Sequence, residues 1–373
     1  MNVVFTCGGT GGHIYPAIAV AKLFQQRQKN CEILFIGAED GMENKLVPRE
    51  GFRLETVKIS NFQRSLSPAG LWHNLRTAGA LPGAFGKTGR ILKQFKPDVI
   101  VGTGGYASFP ALYMGAKLGI PTCVHESNAY PGLTTRLAAR TASRILVSFA
   151  DSRAYYPDPQ RVSITGTPVR SEFLYTHRDR ARAALGLGDE PFVVSFWGSL
   201  GAREMNKKIA AFMRCECDDG APFRHLHATG SFGWRWMPDY VRQQGVGLEN
   251  QPRLELREFI YDMPQVLAAA DLVICRAGAA SIAELCASAA PCIMVPSPNV
   301  TGNHQEKNAR LLEKAGAAVV LRESECDGQT LYDTARQLLA DPERLSAMRA
   351  AAGRMAIVDA AERIYQTAVE LTR

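Results

Sequence analysis

The sequence predicts an α/β protein made of two Rossmann-like, doubly wound parallel-sheet domains that face each other across a cleft. Three observations predict it. At 373 residues the chain exceeds one ordinary domain and suits two, each able to bury its own core. Short apolar, β-branched runs alternate with longer amphipathic stretches in two successive series, as repeated βαβ units require. Glycine-dense loops follow several of these runs, at the strand ends where open parallel sheets bind ligands. With 46% hydrophobic and 21% charged residues and a mean hydropathy near zero, the composition is that of a folded globular chain.

Strands of the first series are expected at 3–6, 32–36, 54–58, 99–101, 122–125 and 145–148, and those of the second at 192–196, 224–228, 254–258, 272–275, 292–295 and 318–321. Gly166 and Pro168 interrupt the pattern between the two series, so the domains are expected at 1–166 and 167–344. A helix follows the last strand from Pro342, and its part at 345–373 is expected to pack back on the first domain. The apolar start of the chain runs straight into Cys7-Gly8-Gly9, with no basic leader and no run long enough to span a bilayer, which predicts a protein kept in the cytoplasm. Nine cysteines with no Cys-x-x-Cys pair, several inside apolar runs, read as buried reduced thiols.

The first strand leads into Gly8-Gly9-Thr10-Gly11-Gly12-His13, and a helix follows with Pro16 in its first turn. Glycines let backbone approach a bulky anionic or sugar ligand, and the N–H groups of a helix start face it. The spacing departs from Gly-x-Gly-x-x-Gly, yet Glu39 stands after the second strand where a nicotinamide site places its ribose ligand, so that reading stays open. Gly102-Thr103-Gly104-Gly105-Tyr106 and Gly198-Ser199-Leu200-Gly201 are further loops of this type. After the run at 272–275, Gly278, Ala279, Ala280 and Ser281 open a helix that carries Glu284. Ser281 and Glu284 have the spacing of a capping box; equally, the small residues would admit a diphosphate to the helix start while Glu284 accepts ribose hydroxyls.

The net charge of +7 is modest, but no acidic residue occurs between Glu55 and Asp98, where Lys58, Arg64, Arg76, Lys87, Arg90, Lys93 and Lys96 lie. A one-sign segment of this length suggests an anionic surface as partner.

Together these motifs, with His125-Glu126-Ser127-Asn128, Pro131-Gly132-Leu133, Gly166-Thr167-Pro168-Val169-Arg170, Glu258-Phe259-Ile260, Arg276-Ala277-Gly278-Ala279 and Asn303-His304-Gln305, resemble the MurG family. Its members transfer N-acetylglucosamine from UDP-N-acetylglucosamine to the undecaprenyl-linked muramyl-pentapeptide precursor of the bacterial cell wall. The motifs occur in order over nearly the whole chain. The resemblance implies the two-domain GT-B fold, no cofactor, no metal and no nucleic acid, and a peripheral location on the cytoplasmic face of the cell membrane. It places the donor mainly on the second domain, with Ile260 at the uracil, Glu284 at the ribose, and Ser199 with the Gly278–Ser281 stretch at the diphosphate. It also places Gln305 at the sugar, with the register between His304 and Gln305 open by one residue, and Arg170 and Asn128 at the neighbouring phosphate or sugar. Thr10, Gly11 and Gly12 are expected to bind substrate. Phe196-Trp197 stand where small residues are usual, Ser127 where Gln is usual and Thr167 where Asn is usual, which bears on the shape of the pocket rather than on the reaction class.

Inverting transfer needs a base for the acceptor hydroxyl and a clamp for the departing diphosphate. His13, at a helix N-terminus whose partial positive charge disfavours imidazolium, is the leading base candidate, or else a positioner of the acceptor; Glu126 is its rival. Backbone N–H groups with Arg170 could hold the leaving group, and no Asp-x-Asp motif of metal-dependent sugar transferases occurs. A lipid-linked acceptor requires contact with a membrane. Leu71, Trp72, Leu75, Leu81 and Phe85 among Arg64, Arg76, Lys87, Arg90 and Lys93 read as an interfacial patch on anionic lipid, or as an ordinary helix packed on the core. Other lipid-acceptor sugar transferases, UDP-sugar epimerases, nucleotide-sugar binders and nicotinamide dehydrogenases are the competing readings.

Overall fold

The computed structural model describes residues 1–63 and 67–373, which form two compact units: Met1–Arg170 with Ile357–Arg373, and Ser171–Ala356. In the first unit, β1 (Asn2–Thr6), β2 (Glu32–Ala38), β3 (Arg53–Val57), β4 (Val99–Gly102), β5 (Thr122–Glu126), β6 (Arg144–Val147) and β7 (Val162–Ile164) form one sheet in the order β3-β2-β1-β4-β5-β6-β7. Every pairing is parallel. Helices cover both faces, so the strands are apolar on both sides. Val3 and Phe5 join Ile14, Phe24 and Ile364 in one core, while Val4 faces the opposite way with Leu92, Leu112 and Ile145 in another. β7 escapes the sequence reading because Ser163 interrupts its three residues, Val162-Ser163-Ile164, so that they form no continuous apolar run.

The second unit repeats the plan. Its strands β8 (Phe192–Phe196), β9 (Arg224–Ala228), β10 (Leu254–Arg257), β11 (Leu272–Cys275), β12 (Cys292–Met294) and β13 (Ala318–Val320) lie in the order β10-β9-β8-β11-β12-β13, again all parallel. A sealed polar group lies inside this unit: Ser195 Oγ is 2.8 Å from His225 Nε2 and 2.7 Å from His227 Nδ1, and His225 Nδ1 is 3.0 Å from Glu216 Oε2. All four side chains are buried, and burial pulls the His227 pKa well below the usual histidine value, so the cluster ties strands together without meeting substrate. All nine cysteines are free thiols, and burial pushes those of Cys123, Cys275 and Cys286 up to about 12.

The helix expected over 345–373 is corrected by the structure to two. Pro342–Met355 stays in the second unit, against the helices Ala279–Ala287 and Gly328–Leu339, with Met348 in that unit's core. Extended backbone at Ala356 ends it, and only Ala360–Glu370 joins the first unit, where Ile364 and Ala368 meet the helix Gly11–Arg27. Two apolar stripes that serve different cores cannot share one straight helix. The chain thus passes between units twice, after Arg170 and after Ala356.

Candidate active site

In each sheet the chain reverses direction from its first strand, so the loops after β1 and β4, and after β8 and β11, start side by side at the switch point where α/β folds bind ligands. In the first unit these loops are in close backbone contact. A Cβ on Gly105, whose φ is +82°, would stand 2.0 Å from the Gly8 carbonyl oxygen, and one on Gly104 would stand 2.7 Å from His13 Nδ1. Only glycine permits that approach. The helix begins at Gly11 rather than near Pro16, which places His13 in its first turn.

His13 is locked reciprocally to Thr103: its Nδ1 lies 3.1 Å from the Thr103 carbonyl oxygen, and Thr103 Oγ1 donates to the His13 carbonyl at 2.6 Å. A carbonyl oxygen only accepts, so in the neutral ring the proton sits on Nδ1 and Nε2 carries the lone pair. Glu126 is buried at the end of β5, and its carboxylate organises the following loop: Oε1 accepts from the backbone N–H and the side-chain amide of Asn128, both at 3.0 Å, and Oε2 accepts from Gly132 N at 2.9 Å. His125 beside it donates from Nε2 to the Gly166 carbonyl at 2.8 Å, and burial lowers its pKa. Thr10 is exposed, Gly11 and Gly12 are half-buried, and half-buried Arg170 closes the first segment of this unit.

One carboxylate that the sequence reading missed lies beneath the first glycine loop. Glu43 is fully buried, accepts from Ala38 N at 2.8 Å and Gly9 N at 3.4 Å, and fills the space where Cβ atoms on Gly8, Gly37 and Gly41 would fall. It occupies the end of β2, while Glu39 turns outward to Lys87 at 3.7 Å. The ribose-ligand reading of Glu39 therefore fails at the first glycine loop, where Glu43 fills the space between the end of β2 and Gly9. The three glycines are the only sequence signal of Glu43, and they are scattered along the chain.

In the second unit Gly198 and Gly201 both have positive φ, and a Cβ on Gly201 would stand 2.1 Å from the Thr229 carbonyl oxygen. The exposed Ser199 accepts through its carbonyl from Ser231 N at 3.1 Å, which fastens the loop to the one after β9. Gly278 is the N-cap of the helix Ala279–Ala287, with no side-chain cap, so the capping-box reading is corrected: Ser281 is the third helical residue. The N–H groups of Ala279, Ala280 and Ser281 belong to the helix start that lacks intrahelical acceptors, and Glu284 stands three residues beyond Ser281 on the same face. Arg276, over the Trp197 ring at 5.8 Å and bonded to Glu323, and Asn308, donating to the Ala277 carbonyl at 3.1 Å, hold this loop in place. Ile260 is buried between the exposed Phe259 and Tyr261. His304 and Gln305 open the helix His304–Lys314; His304 Nδ1 lies 2.8 Å from the Thr301 carbonyl oxygen and Gln305 Oε1 accepts from Ser297 N at 2.8 Å.

The expected interfacial stretch is the helix Pro68–Phe95, and it divides in two. Leu71, Trp72 and Leu75 are 54–64% exposed near its start, whereas Phe85, further along, is half-buried against the rings of Phe109 and Tyr113. Arg64 lies outside the described residues.

Comparison with known proteins agrees with this architecture. The glycosyltransferase family 28 N-terminal domain matches residues 3–147 and the glycosyltransferase family 28 C-terminal domain matches residues 192–364. A UDP-N-acetylglucosamine--N-acetylmuramyl-(pentapeptide) pyrophosphoryl-undecaprenol N-acetylglucosamine transferase of Thermoanaerobacter sp. (strain X514) is 40% identical over 373 residues, covering 100% of both chains. The crystal structure of Acinetobacter baumannii MurG superposes with a TM-score of 0.76 at 25% identity, over 99% of each chain. A UDP-GlcNAc 2-epimerase from Neisseria meningitidis, crystallised with UDP-GlcNAc, shares the fold alone, with a TM-score of 0.67 and 14% identity over 99% of this chain and 100% of that one. The chain belongs to glycosyltransferase family 28 and, within it, to the MurG family of N-acetylglucosamine transferases.

Proposed function

We propose that the protein transfers N-acetylglucosamine from UDP-N-acetylglucosamine, with inversion, to the 4-hydroxyl of the muramyl sugar of undecaprenyl-pyrophosphoryl-MurNAc-pentapeptide, converting lipid I to lipid II in peptidoglycan synthesis. The observation that carries this is full-length 40% identity to transferases of that name, with no segment of the chain left over.

In the reaction, the acceptor oxygen forms a bond to the anomeric carbon, the bond from that carbon to the UDP oxygen breaks, and the hydroxyl proton passes to a base. His13 is that base: the Thr103 carbonyl fixes the tautomer that gives Nε2 its lone pair. Glu126 serves by holding the 128–132 loop, since its two oxygens already accept three bonds there. Thr10, Gly11 and Gly12 meet substrate at the first glycine loop, and Asn128 meets the neighbouring phosphate or sugar. The departing diphosphate is held by Ser199, by the N–H groups at Gly278, Ala279, Ala280 and Ser281, and by Arg170. Ile260 meets uracil, Glu284 the ribose, and His304 with Gln305 the sugar.

No helix among the described residues is long and apolar enough to cross a membrane. Access to a lipid-linked acceptor comes from peripheral binding at the cytoplasmic face, through the exposed Leu71, Trp72 and Leu75. Purified protein given UDP-N-acetylglucosamine is expected to release UDP only when the lipid-linked muramyl acceptor is added. Release or epimerisation without acceptor, or heat protection by NAD in place of the UDP-sugar, would overturn the reading.

A further inference from the structure

A cavity of about 770 Å³ lies in the first unit beside the ends of β2 and β3, within the size range of ligand sites. One wall carries Lys58, after β3, with Arg76 and Lys87 of the helix Pro68–Phe95; the other carries Glu39 and Asp40, after β2. Between them the helix presents Gly79 and Gly83, where an added Cβ would meet nothing within 4 Å, so the groove is open along its length.

Both walls are set before any ligand arrives. His73 Nε2 bonds the Asn61 carbonyl at 2.9 Å, Asn74 brackets Gln63 with two bonds of 2.7 Å, and Ser60 Oγ lies 2.7 Å from Thr77 Oγ1. These fasten the loop that follows Lys58 to the helix. Across the groove, Asn44 Nδ2 donates to the carbonyls of Ala38, Glu39 and Gly41 at 3.0, 2.6 and 3.1 Å. Beneath that wall, Glu43 accepts from Ala38 N and from Gly9 N, so the segment that carries Glu39 is tied to the first glycine loop.

Among the described residues Lys58 and Arg76 form no ion pair, while Lys87 reaches Glu39 at 3.7 Å. Cations facing two carboxylates disfavour a bare polyanion, which Glu39 and Asp40 would repel, and favour an elongated ligand with carboxylate at some points and N–H or cationic groups at others. Arg76 and Lys87 are eleven residues apart on the helix, about 16 Å along its axis. Five extended peptide residues span roughly the same distance, about 17 Å.

We infer that this groove binds the peptide arm of the acceptor, its carboxylate groups on Lys58 and Arg76 and its N–H or cationic groups toward Glu39 and Asp40. The inference rests on the transferase reading, and the two fail differently. UDP release is measured with the lipid-linked muramyl pentapeptide and with the same lipid-linked sugar bearing a simple amide in place of the peptide. Wild type is expected to show at least a tenfold lower KM for the peptide-bearing acceptor. Lys58→Ala should shrink that advantage and Lys58→Glu should abolish it, with kcat/KM on the peptide-free acceptor unchanged in both. A wild type indifferent to the peptide overturns the inference, as does equal loss on both acceptors. Equal loss accompanied by lost sedimentation with phosphatidylglycerol vesicles assigns the groove to a lipid headgroup instead. No turnover of either acceptor by wild type sinks the transferase reading and this one with it.

Discussion

At the scale of single residues, the first unit separates two groups that look alike in sequence. His13 and Glu126 both follow strands and both could take a proton. Glu126 is committed to the backbone of its own loop, whereas the bond from His13 Nδ1 to the Thr103 carbonyl leaves the lone pair of the neutral ring on Nε2. His13→Ala is therefore expected to lower kcat by about 10²–10⁴-fold, the usual range for a lost general base, while calorimetric affinity for UDP stays at the wild-type value. Retention of more than a tenth of kcat would reassign His13 to positioning the acceptor. His13 was legible because a histidine directly after a glycine loop enters a helix start in almost any βαβ unit. Glu43 was not: it sits in a short polar helix, and its importance arises from Gly8, Gly37 and Gly41 converging on it from separate segments.

Elements carry the next layer of meaning. The glycine loops were readable as loops because positive φ and close backbone approach leave few other residues possible, and Gly104, Gly105, Gly198 and Gly201 all adopt positive φ. The helix Pro68–Phe95 was readable as amphipathic but not in its division of labour. Over its first five turns the buried positions are small residues, Gly70, Thr77 and Ala84, while Leu71, Trp72 and Leu75 point outward; only near its end does a large apolar side chain, Leu92, enter the core. Replacing these three exposed residues by serine is expected to abolish sedimentation with phosphatidylglycerol vesicles, with the melting temperature close to that of wild type because no core contact is lost. Vesicle binding that survives the triple substitution would place the membrane contact elsewhere.

On the scale of the whole molecule, two units share one strand plan, and the chain passes between them twice. If the donor loops belong to the second unit, UDP-N-acetylglucosamine added alone should slow amide hydrogen exchange at 198–201 and 278–284 and leave 8–13 at its unliganded rate. Protection confined to 8–13 would reverse the assignment of donor and acceptor. The sequence by itself determined the two series of strands, the glycine loops that follow them and the family, because these depend on side-chain periodicity and on backbone angles that only certain residues tolerate. Tertiary structure alone decided that the C-terminal segment is two helices serving two cores, that Ser281 lies inside its helix rather than capping it, and that a charged groove stands open beside β3. Each of those depends on which distant residues meet, and burial and hydrogen bonding across tens or hundreds of positions leave no local pattern in the chain.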